Sequence, residues 1–165
     1  MSSLSKSMQI YHEALDKGDI QKAYRTILGF IAELRNALEL KYPECVVSQI
    51  YQGFMDMSYF AITPKALRAR KLKIALVYLH EANRFELWLS ANNRSIQKQT
   101  IQYFNQIEDF DYRVSEFGTG IDSIVEWIVH VEPNFEAKSS LKSSLELNVL
   151  RFTNNIERFL EVGSK

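Results

Sequence analysis

One cysteine, three prolines and six glycines in 165 residues exclude several classes of protein at the outset. Cys45 alone cannot close an internal disulfide, so a secreted scaffold held by cross-links is ruled out. Lys and Arg together number 20 and Asp and Glu together 20, which leaves no net field to draw the chain to nucleic acid or anionic lipid. No apolar run reaches bilayer length, and the opening MSSLSKSMQ lacks the hydrophobic core of a signal peptide. These absences predict a soluble, cytoplasmic protein with no membrane or nucleic-acid partner. The oligomeric state leaves no mark in the sequence.

The chemistry-bearing residues are equally sparse. His12, His80 and His130 are scattered, and His80-Glu81 has Arg84 where a zinc-binding helix needs its second histidine, so no metal or cofactor is expected. Cys45 reads as a structural thiol, since no histidine near it in sequence would raise its thiolate fraction. Ser58 and Ser90 lack the glycine-flanked turn of a hydrolase nucleophile. The loop Phe117-Gly118-Thr119-Gly120 resembles half of an anion nest, without the lysine or the full glycine spacing of a phosphate loop.

What the chain does have is 46% hydrophobic residues, enough for one core in one domain spanning residues 1–165. Its organising stretch is KLKIALVYLHEANRFELWLS, from Lys71 to Ser90, which reads as a β-hairpin. A four-residue connection pairs Leu79 with Arg84, and hence Val77 with Glu86, Ala75 with Trp88 and Lys73 with Ser90. Those pairs share a mixed face. Leu72, Ile74, Leu76, Tyr78, Phe85, Leu87 and Leu89 share the other face, the core side. A first strand is expected from Val46 to Ile62, with Gly53 at a bulge or a close backbone approach.

Helical spacing predicts a short first helix through Met8 and Leu15, then a long second helix from an Asp19 cap through Ile31 and Leu38. A short helical turn follows Thr63-Pro64, and a further helix runs from a Ser95 cap to about Asn105. Tyr112 to Ser115 is a short fourth strand. Ile121, Ile124, Val125, Ile128 and Val131 are assigned to a helix, and Leu141 through Leu160 to a long C-terminal one. The expected fold is α+β: an antiparallel sheet of three to four strands, a meander around the hairpin, packed with about five helices.

The mixed face is where function is sought. Trp88, Glu86, Asp56, Tyr59 and Arg84 are the candidate ligand-binding residues, and the small Ala75 beside Trp88 leaves space above the sheet. Either a ligand or the expected Ile121–Val131 helix, with Trp127 and Ile128, would fill it. His80, Glu81 and Arg84 surround the hairpin turn, whereas Asn92, Asn93 and Arg94 lie past the opposite strand end. The arginines are therefore not expected to share a pocket. No reaction follows from these residues. The preferred reading is a non-catalytic module that binds a small molecule or a protein partner, and no catalytic residue is named. The alternative is a small hydrolase or transferase with Asp56 or Glu86 as general base and Arg84 as electrostatic clamp.

The segments YQGFMDMSYF and TPKALRARKLKIALVYLHEANRFELWLSANNR, with GDIQKAYRTI and KYPE before them, resemble an uncharacterised family of bacterial proteins classed as a domain of unknown function. The resemblance spans most of the chain. It implies a bacterial cytoplasmic origin and a compact α+β domain, and brings no activity, cofactor or catalytic residue.

Overall fold

The structure, a computed structural model, describes residues 3–162. Its centre is the hairpin of β3 (Leu72–Leu79) and β4 (Arg84–Ala91), in the expected register, with Leu79 opposite Arg84, Ala75 opposite Trp88 and Lys73 opposite Ser90. Asn83 closes the turn at φ 50°, a left-handed conformation that asparagine tolerates, and its side chain accepts a hydrogen bond from the Tyr78 hydroxyl at 2.7 Å.

The sheet is wholly antiparallel but has six strands rather than three or four. β1 (Val46–Val47), β2 (Met57–Thr63), β5 (Arg113–Val114) and β6 (Ser123–Val131) join the hairpin in the order β1-β2-β3-β4-β6-β5. The single first strand expected over Val46–Ile62 is two strands folded on each other, with Val46 opposite Thr63. Gly53 sits in the reversal at φ 73°, where an added Cβ would lie 2.0 Å from the Met57 carbonyl oxygen, so the close approach expected of it is real. Both edge strands are two residues long, a length that limits pairing with another chain.

The largest correction concerns Ile121–Val131. It is a strand, β6, paired along β4 with Leu87 opposite Trp127 and Trp88 opposite Glu126. SIVEWIVHV is dense in β-branched residues, which favour a pleated surface, and without it the backbone donors and acceptors of β4 would face water. Register shifts at Phe85/Glu86 and Leu89/Ser90 blur the two-residue alternation, which is why helical spacing was the stronger signal.

Five helices are present: α1 (Leu4–Lys17), α2 (Asp19–Lys41), α3 (Lys65–Ala69), α4 (Arg94–Asn105) and α5 (Lys138–Val162). Two caps differ from expectation. Gly18, at φ 81°, both ends α1 and precedes α2, so Asp19 lies inside the first turn. Asn93, not Ser95, caps α4, accepting a hydrogen bond from the Ile96 backbone at 2.9 Å. At α3, Pro64 precedes the first turn and Thr63 belongs to β2. Among the described residues no helix is long and apolar enough to cross a membrane.

Four of the helices, α2 to α5, contribute to the core on one side of the sheet. Ile31 and Leu38 of α2, Ile101 and Phe104 of α4, and Leu145 and Phe152 of α5 join the core cluster with Leu76, Phe85 and Leu87. Burying a side chain of this size contributes about 1.5 to 3 kcal/mol. Trp127 faces that layer, stacked on Phe152 with ring centroids 6.0 Å apart. Ala75 and Val77, on the opposite face, are buried but lie outside that cluster.

Candidate functional site

With β6 in the sheet, the helix that would have covered Trp88 does not exist. A groove of about 360 Å³ lies over the mixed face instead. Its floor is Ala75 and Val77, flanked by Trp88 and Tyr59. The register explains the hollow: Ala75 is paired with Ala61 on one side and Trp88 on the other, so two methyl groups lie next to one indole. Lys73 and Ser90, a cross-strand pair, line one end together with Asn92, Arg94 and Asp122.

The five expected site residues divide. Trp88 and Tyr59 line the groove and are half-buried. Glu86 does not reach it. Its carboxylate is 2% exposed and accepts from the Arg84 Nε at 2.7 Å and from the Trp88 Nε1 at 2.9 Å. Glu86 and Arg84 thus hold the indole in place from beside it. Asp56 lies outside the groove, in the loop before β2, where its carboxylate accepts from the Phe54 backbone at 2.8 Å. Backbone N–H groups of Phe54, Met57 and Asp56 itself hold its carboxyl below the usual carboxylate range. Tyr59 is shifted the other way, its phenol pushed up by burial and then by the neighbouring Tyr51 and Asp122.

Arg84 and Arg94 occupy separate hollows, as their positions in the chain suggested. Arg94 belongs to the first turn of α4 and donates from Nη1 to Gln97 at 2.8 Å and to the Ile121 carbonyl at 2.6 Å. Gln97, 3% exposed, donates in turn to the Ile121 and Ser123 carbonyls at 2.8 and 3.2 Å. These bonds tie the start of α4 to the start of β6 and set Asp122 beside the groove. Gln97 and Asp122 were missed by sequence reasoning. Gln97 stands three residues after Arg94, one helical turn away, which is a usable signal; Asp122 carried none.

A second cluster surrounds His80. Its Nε2 lies 2.8 Å from the Ser58 Oγ, near Asp56, a grouping that invites comparison with a hydrolase triad. The bonding opposes that use: Ser58 is fully buried and its hydroxyl donates to the Gln52 carbonyl, so it accepts from His80. Burial lowers the His80 pKa, with Asp56 partly opposing the shift. The pair fastens the start of β2 to the hairpin turn, and the Gln52 carbonyl brings the preceding loop to the same point. Among the described residues no three His, Cys, Asp or Glu side chains gather as a metal site would need. Burial, and then Glu44, push the Cys45 thiol up, away from a reactive thiolate.

A family model described as Domain of unknown function (DUF7000) matches residues 4–160. The chain belongs to DUF7000. That description names no activity, so chemistry in this DUF7000 member has to be argued from its own groove. No curated protein and no solved structure matches the chain.

Proposed function

We propose that this protein is a non-catalytic module that binds a small molecule in the groove over Ala75. The observation that carries the reading is the groove itself: about 360 Å³, within the range of ligand pockets, between two aromatic walls on a face without helices in its core. A concave hollow of this size favours a small molecule over a protein surface. A cytoplasmic setting is part of the proposal, supported by a single cysteine that cannot form an internal disulfide. The competing enzyme reading has less support. A general base needs a free, basic carboxylate at the reacting centre; Asp56 is held acidic, both Glu86 oxygens are engaged, and neither lines the groove.

The test is a thermal-shift screen of metabolite-sized compounds against the full chain and its Trp88→Ala variant. A ligand at one hundred times its dissociation constant adds about 2.7 kcal/mol, a rise of roughly 5 to 10 °C for a domain of this size. Hits should stabilise the parent and lose their effect in the variant. Hits that stabilise both equally would place binding elsewhere and overturn the reading.

A further inference from the structure

The lining of the groove contains polar groups with no hydrogen-bond partner among the described residues, the Ser90 hydroxyl and the Lys73 ammonium. Ser90 is 6% exposed, lines the groove, and its hydroxyl makes no hydrogen bond to any described residue. Its Oγ keeps contact with solvent and so opens onto the groove, where it is free to donate to a bound ligand. Lys73 stands directly opposite it on β3. Neither Lys73 nor Arg94 belongs to an ion pair among the described residues. Two cations against the single carboxylate of Asp122 leave this end of the groove with a surplus of one positive charge.

The strand spacing sets how far this polar end lies from the aromatic one. Ser90 follows Trp88 by two residues on the same face of β4, and Lys73 precedes Ala75 by two on β3, so the two ends are about 7 Å apart. Resting on the reading of the groove as a ligand site, we infer that it takes a small aromatic carboxylate. The ring lies on the Ala75 floor between Trp88 and Tyr59, and the carboxylate accepts hydrogen bonds from the Lys73 ammonium and the Ser90 hydroxyl. A monoanion matches the surplus of one charge. A dianionic phosphate does not, because Asp122 repels the second charge.

The inference is tested on the full chain by proton–nitrogen NMR, following the two indole N–H signals. Trp88 is assigned through Trp88→Phe, and Trp127, packed under α5, serves as the internal control. The probes are 2-naphthoate, its neutral amide and 2-naphthyl phosphate. 2-Naphthoate should move the Trp88 signal and not that of Trp127, and bind about tenfold or more tightly than the amide. Lys73→Met should remove that preference and Ser90→Ala should reduce it, with spectra otherwise those of the folded parent. Equal binding of carboxylate and amide to the parent would overturn the inference while leaving the groove as a ligand site. Tighter binding of the phosphate would overturn the choice of carboxylate. If no probe moves the Trp88 signal, the inference fails; the compound screen against Trp88→Ala then decides separately whether the groove binds anything.

Discussion

The two faces of the sheet are built from the same strands and do opposite things. On one, Leu76, Phe85, Leu87 and Leu89 are at most 1% exposed beneath α2 and α5, and their packing requires no polar group. On the other, Val77 and Glu86 are equally buried, yet neither belongs to the apolar cluster that the helices build. That face leaves a hollow wherever the neighbours are small, as at Ala75. Helix-covered faces gain stability from continuous apolar contact, whereas this face has retained charge and a groove at the expense of such contact.

The largest expected effect on this contrast comes from Leu76→Ala or Leu87→Ala. Each should destabilise by about 2 to 5 kcal/mol in chemical denaturation, through lost burial and a residual cavity, without altering binding in the groove of any molecule that still folds. Gly53→Ala comes next, at about 2 kcal/mol or more, because the new Cβ meets the Met57 carbonyl and φ 73° is strained for alanine. It should also disturb the Tyr51 ring, whose centroid lies 5.1 Å from that of Tyr59 at the edge of the open face. Trp88→Ala should cost only about 1 to 2 kcal/mol, since the indole is half-buried, while abolishing binding; a loss as large as that of Leu87→Ala would make Trp88 core and erase the contrast.

Acidification is a gentler probe. Burial depresses the folded-state pKa of His80, so the unfolded chain takes up a proton first as pH falls. Stability should be complete above the ordinary histidine range of about 6.5 and decline through and below it, and His80→Gln should flatten that slope in thermal melts between pH 7 and 5. Lys73→Ala should be the mildest change, under about 0.5 kcal/mol. A larger cost would show that Lys73 holds the sheet together and does not wait for a ligand.

The parts of the molecule that were legible in its sequence are those with short-range causes. The register of β3 on β4 follows from a four-residue turn and a two-residue alternation, and every expected pair is present, from Leu79 with Arg84 to Lys73 with Ser90. The apolar stripe of α5, from Leu141 to Leu160, is equally local. In the groove, Trp88 could be placed because alternation along the hairpin assigns it a face; Tyr59, Asp56 and Glu86 belonged to the same reading, but only Tyr59 reaches the hollow, since a loop and an engaged carboxylate keep the other two out.

The rest depended on partners distant in the chain. SIVEWIVHV carries apolar residues at spacings that suit a helix as well as a strand, and only β4, whose outer backbone groups need hydrogen-bonding partners, makes the strand the better outcome. That one choice widened the sheet, turned Trp127 toward α5 and brought Asp122 and Gln97 to the rim. It also removed the helix expected over Trp88, leaving the groove open. Local spacing determined which side chains share a face, because the pleat repeats every two residues; tertiary pairing decided what lies over that face, because backbone hydrogen bonds between strands are satisfied only once the whole sheet is assembled.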